Sequence, residues 1–135
     1  MIPVSKPNIL KRDINAIKKS LEQGWISSNG PDIYKFEKKF SKFIGSKYSI
    51  SVSNGTAALE IGIKALGVKK GDEVIIPNFT IISNALAVIR QLATPVVVDC
   101  NKHDWNMSIE EIKKKITKKT KAIIVTHIYS FPNKI

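Results

Sequence analysis

Several things are scarce in this 135-residue chain, and each scarcity excludes something. Cys100 is the only cysteine, so no disulfide can close within the chain, and a reducing cytoplasm is the expected compartment. No apolar run is long enough to span a bilayer, and Met1-Ile2-Pro3-Val4-Ser5-Lys6 lacks the apolar centre of a signal peptide. Arginine occurs twice, as Arg12 and Arg90, and acids number 11 against 22 lysines and arginines. The formal charge of +11 would suit a nucleic-acid partner, but the lysines are scattered over several predicted helices. Phosphate and base readers favour arginine with interleaved aromatics, so the lysines read as solvated surface. No nucleic-acid partner, no membrane and no metal site are expected. Internal repeats and low-complexity linkers are also missing.

What is present describes an ordinary globular chain, with 43% hydrophobic and 24% charged residues and enough length for one domain. Met1 to Asn8 reads as extended, since Pro3 and Pro7 do not suit a helix interior. Leu10, Ile14, Ile17 and Leu21 then recur at helical spacing up to Gly24. The loop from Gly24 to Pro31 holds Trp25, which reads either as a core plug or as a ligand contact. Ile33, Phe36, Phe40, Phe43 and Ile44 make one face of a second helix closed by Gly45. From Tyr48 onward strands and helices alternate. Strands are predicted at Tyr48–Val52, Glu73–Pro77, Thr94–Asp99 and Ala122–Thr126. Between them lie helices near Thr56–Leu66, near Ile82–Gln91, and after the Ser108-Ile109-Glu110-Glu111 capping box. This alternation indicates an α/β fold, a mostly parallel sheet with helices on both faces.

Chemistry concentrates at Ser51-Val52-Ser53-Asn54-Gly55-Thr56-Ala57-Ala58-Leu59. A predicted strand runs through a small-residue turn into a helix whose first N–H groups lack intrahelical partners. Those groups and the helix dipole suit a phosphate or carboxylate. Gly55 would let an anion reach the backbone, and the Thr56 hydroxyl would add a donor. The same residues also read as a plain strand–helix turn capped by Ser53 or Asn54. In open α/β sheets ligands lie at the carboxyl ends of strands. That places the loops at Asn78–Thr80 and His127–Ser130 near the same point.

In order and spacing, these residues resemble the amino-terminal part of the DegT/DnrJ/EryC1/StrS family of pyridoxal-phosphate-dependent sugar-nucleotide aminotransferases. The resemblance rests on Ile2-Pro3-Val4, Gly24-Trp25-Ile26-Ser27-Ser28, Pro31, Ser53 to Leu59, Gly71-Asp72-Glu73-Val74-Ile75, Pro77, Thr80, Ala93-Thr94-Pro95-Val96 and His127-Ile128-Tyr129. The segment Trp105-Asn106-Met107-Ser108 is most similar to the perosamine-synthase branch. The resemblance implies part of a three-layer α/β/α large domain of fold type I, with pyridoxal 5'-phosphate as cofactor. It implies amino transfer from a glutamate-type donor to a nucleotide-linked keto-sugar, for amino-sugar and surface-polysaccharide synthesis, in a homodimer. Carried over by position, Gly55, Thr56 and Ala57 would hold the cofactor phosphate. Ile81 would lie against its ring, and Trp25 and Ser27 would face the substrate.

Two positions depart from the family pattern. Ile81 stands where the family has an aromatic ring on the cofactor, at a loss of about 1 kcal/mol of stacking. Ser130 stands where the family has glycine. The resemblance also implies that the Schiff-base lysine, the aspartate facing the pyridinium nitrogen and the small domain lie outside residues 1–135. No lysine here has the family's context, so no catalytic residue is assigned, and an inactive phosphate-binding remnant or one half of a split enzyme is the alternative. In the family sheet the strand matching Tyr48–Val52 pairs with a later strand. Without that partner it is expected to be unpaired, and the apolar Thr56–Leu66 helix to be bare.

Overall fold

The computed structural model describes residues 5–134, so the Ile2-Pro3-Val4 part of the resemblance and the first residues of the extended start lie outside it. The chain forms two compact units, Met1–Ser51 and Val52–Ile135.

In the first unit, helix α1 spans Lys11–Glu22 and helix α2 spans Pro31–Ile44. Asp13 accepts a hydrogen bond from the Leu10 N–H at 2.9 Å, which starts α1 without a polar N-cap residue. Pro31 takes the first position of α2, where its missing N–H costs nothing. Gly45 ends α2 in the left-handed region at φ 71°, where a Cβ would be strained. The apolar faces have the predicted spacing, yet neither helix buries a residue.

The predicted strand at Tyr48–Val52 does not form. Its residues are irregular, and the polar backbone is satisfied locally instead. The Ser51 N–H and hydroxyl both donate to Glu37 Oε1 at 2.8 Å, and the Ser49 hydroxyl donates to the Glu37 carbonyl. A strand needs a neighbour to take its backbone groups, and among the described residues this segment has none. The Ser51 amide, then its hydroxyl, holds the Glu37 carboxyl below the usual carboxylate range.

In the second unit, helix α3 spans Gly55–Ala65, β1 Glu73–Pro77, α4 Ser83–Ile89, β2 Thr94–Val98, α5 Ile109–Lys115 and β3 Thr120–Ile123. A 3₁₀ turn follows at Ile128–Ser130. The strands form one parallel sheet in the order β2-β1-β3, with Ile75 opposite Val96 on one side and Ile123 on the other. Central β1 is the most buried element, as an apolar run covered on both faces should be. Val74 and Ile76 face Ile63 of α3 and Ala87 and Val88 of α4. Ile75 faces Val98, Met107 and Ile112 on the side of α5. Val74 and Ile75 are fully excluded from solvent, each contributing about 2 kcal/mol of hydrophobic stabilisation.

The helices are less enclosed than their sequences suggest. Ile63 is the only buried residue of α3, while Ile61 and Leu66 are exposed. The Ser108 hydroxyl caps α5 by accepting from the Glu111 N–H at 3.4 Å. Of the expected inward face only Ile112 is buried, since α5 ends at Lys115 and leaves Ile116 in solvent. Lys113, Lys114, Lys115, Lys118, Lys119 and Lys121 are all exposed, as expected of a solvated face.

Candidate functional site at the start of α3

Asn54 is the N-cap of α3: its Oδ1 accepts from the Ala57 N–H at 2.9 Å, and its carbonyl accepts from the Ala58 N–H at 3.2 Å. Two of the helix's four leading amides are therefore occupied. Those of Gly55 and Thr56 have no partner among the described residues. Ala57, expected beside Gly55 and Thr56 at the cofactor phosphate, has its amide bonded to the Asn54 side chain in this structure.

The free end opens into a groove of about 710 Å³, lined by Gly55, Thr56 and Leu59 of α3, by Ile81 and Ser83, and by Ile123 of β3. A Cβ built on Gly55 would meet nothing within 4 Å, so glycine leaves open space in front of the backbone. Gly55 is not in the left-handed region, so the turn's backbone does not require glycine here. A phosphate fits this arrangement: two successive unpartnered amides, a helix dipole, room at Gly55 and the Thr56 hydroxyl beside them. Ile81 is 66% exposed and lines the same groove. No lysine lines the groove among the described residues.

The loops around the groove are tied by polar side chains that sequence reasoning did not single out. Asn84, only 3% exposed, donates from Nδ2 to Thr80 Oγ1 and to Thr126 Oγ1, each at 2.9 Å. The two threonine hydroxyls lie 3.1 Å apart. One side chain on α4 thus pins the loop after β1 to the chain leaving β3. Ser83, its neighbour, has its hydroxyl 2.9 Å from Thr56 Oγ1.

A second tie holds the 126–134 segment. Buried Asn106 donates to the Pro132 carbonyl at 3.2 Å and accepts from Asn133 Nδ2 at 3.1 Å, while Asn133 also donates to the Thr126 carbonyl at 2.7 Å. His127 Nδ1 accepts from the Asn133 N–H at 3.0 Å. Tyr129 is elsewhere, with Phe79, His103 and Trp105, on an aromatic groove of about 450 Å³. Ser130, at the family's glycine position, has φ 68°. Thr80 lies before α4, which begins at Ser83, so its pairing with Asn84 left no helical-spacing signal in the sequence, and neither did the partner at Thr126.

Trp25 and Ser27 belong to the first unit. Trp25 is half exposed and lies against Gly30, where an added Cβ would stand 3.4 Å from the Trp25 Cβ. The Ser27 hydroxyl accepts from the Asn29 N–H at 3.5 Å, a turn contact. Both residues shape their own loop.

The model of the DegT/DnrJ/EryC1/StrS aminotransferase family matches residues 7–135. The chain is 43% identical over 131 residues to the GDP-perosamine synthase of Escherichia coli O157:H7, covering 97% of this chain and 36% of that protein. A Streptococcus pneumoniae structure solved in its PLP-form superposes with a TM-score of 0.92 at 32% identity, covering 98% of this chain and 34% of the other. NtdA from Bacillus subtilis with bound cofactor PMP gives a TM-score of 0.83 at 34% identity, covering 90% and 28%. The chain therefore spans about a third of the length of the curated relatives it matches. The likeness extends to PLP aminotransferases as a fold and to pyridoxal phosphate as the family's cofactor. With a family model matched over nearly its whole length and a parallel sheet of the same architecture, the chain belongs to the DegT/DnrJ/EryC1/StrS aminotransferase family.

Proposed function

We propose that residues 1–135 are the amino-terminal part of the cofactor-binding large domain of a sugar-nucleotide aminotransferase, and that the first turn of α3 holds the phosphate of pyridoxal 5'-phosphate. The observation that carries this reading is the pair of unpartnered amides at Gly55 and Thr56, facing a groove that also presents Ile81. When bound, the cofactor supplies an electron sink and a carrier for the amino group. The chain's own contribution is binding and orientation. Gly55 and Thr56 fix the anionic end, Asn54 holds the helix end in shape, and the aliphatic face of Ile81 limits where the ring can lie. Trp25 and Ser27 are proposed on the substrate side, with a glutamate-type amino donor and a nucleotide-linked keto-sugar as substrates. A cytoplasmic homodimer serving surface-polysaccharide synthesis completes the reading; a relative named as a spore coat polysaccharide biosynthesis protein from Bacillus subtilis supports the polysaccharide part of it.

Since no lysine of the described residues lines the groove, the reactive amine is proposed to come from outside these 135 residues. The test is a titration of the purified chain with pyridoxal phosphate, with pyridoxal lacking the phosphate, and with inorganic phosphate as competitor. Binding of the phosphorylated compound alone, displaced by phosphate and leaving no single lysine modified after borohydride, is the expected result. Equal binding of both pyridoxals would sink the cradle.

A second reading is favoured by the apolar lining of the groove and the free edge of β3. In it, the chain works as one half of a split enzyme, and a separate polypeptide covers that face and brings the lysine. An inactive phosphate-binding remnant is the remaining form of this reading. A downstream reading frame carrying a lysine-bearing aminotransferase segment would favour the split enzyme, and its absence the remnant.

A further inference from the structure

The first turn of α4 brings a hydroxyl to the start of α3 that the residues assigned so far do not include. Ser83 Oγ lies 2.9 Å from Thr56 Oγ1, and both side chains are half-buried on the groove that receives the Gly55 and Thr56 amides. Ser83 cannot drift, because the adjacent Asn84 is buried and bonded to Thr80 and Thr126. Two hydroxyls in contact share one proton between them and keep the other free. Donation from Ser83 to Thr56 turns the Thr56 proton outward; donation from Thr56 to Ser83 turns the Ser83 proton outward. In both arrangements one O–H is left to donate beside the two free amides, polarised by its neighbour.

We propose that Ser83 is a further anion-binding and positioning residue of this site, working with Thr56 as a hydroxyl pair that supplies the third donor to a bound phosphate. It takes the place left by the Ala57 amide, which Asn54 occupies. The inference rests on the reading of α3 as a phosphate cradle. Its test separates the two.

The whole chain is titrated with inorganic phosphate while the amide resonances of Gly55 and Thr56 are followed. Wild-type protein is expected to shift both saturably. Ser83→Ala should weaken the affinity about threefold, because Thr56 keeps its hydroxyl and loses only the neighbour that orients and polarises it. Ser83→Thr, which keeps the second hydroxyl, should restore the wild-type value. Ser83→Cys, close in shape with a weak donor, should bind as poorly as Ser83→Ala and serves if the alanine variant does not fold. In combination with Thr56→Val the losses should fall short of additive, since the two hydroxyls act as one unit. Saturable binding in the wild type with unchanged affinity in Ser83→Ala and Ser83→Cys would overturn the role of Ser83 and leave the cradle standing. No saturable shift in the wild type would overturn both.

Discussion

Replacing Asn84 by Leu tests the tie between the loops after β1 and β3. Leucine keeps the branched shape and removes both donated bonds, to Thr80 and Thr126. Each is worth about 1 kcal/mol net, and two half-buried threonine oxygens would each lose a partner. The threonine hydroxyls, 3.1 Å apart, can still bond one another and recover part of the loss. The expected cost is therefore about 2–3 kcal/mol. In urea, at a slope of roughly 1–2 kcal/mol per molar, the midpoint should fall by roughly 1–2 M. Adding Thr126→Val should cost less than the sum of the single changes, because it removes a group already stranded. A loss below about 0.5 kcal/mol for Asn84→Leu would mean that the cluster carries no net stability and that the loops are held by packing alone.

Other outcomes follow from single positions. Leu92 and Ser130 have φ 58° and 68°, where glycine is unstrained, so Leu92→Gly and Ser130→Gly should each raise the unfolding midpoint by the equivalent of about 1 kcal/mol. Ile81→Phe should tighten pyridoxal phosphate binding about fivefold, the size of one stacking contribution, and leave affinity for inorganic phosphate unchanged. The Glu37 carboxyl is held below its ordinary value by Ser51. Its contribution to the Ser49–Ser51 segment should be complete above the unfolded carboxylate's pKa and vanish as pH falls through the lowered folded value. Exchange of the Ser51 amide proton measured against pH should show this, and Glu37→Gln should flatten the profile.

Much of the architecture was legible because it is local. Apolar runs bounded by turns located β1 and β2, while β3 starts at Thr120 and shares only Ala122 and Ile123 with its predicted run; helical spacing located the helices to within a few residues. Gly45 and Asn54 stop and start helices by chemistry contained in a few adjacent residues. Tyr48–Val52 was misread because its β-rich composition is only half of what a strand requires; the other half is a distant partner. For the proposed cradle, the sequence pointed to the start of α3 but not to which of its amides stay free. Whether Asn54 turns back to take the Ala57 amide depends on its side-chain rotamer, which composition does not reveal. Asn84 was missed because a single amide in an apolar helix shows its purpose only beside Thr126, 42 residues away. The left-handed Leu92 went unseen for the opposite reason: nothing in a leucine signals that conformation.

The outer side of β3 has a consequence for how the protein behaves in bulk. A parallel strand with one unsatisfied side, next to an oily trough, is a template for another copy of itself. Here that rim bears exposed Lys119 and Lys121 on a molecule of formal charge +11, so approaching copies repel one another. Such repulsion acts only over the Debye length, which shrinks from about 30 Å at 0.01 M salt to about 3 Å at 1 M. Dilute buffer should therefore keep the chain dispersed, and brine should let it stack, with light scattering rising along the salt series.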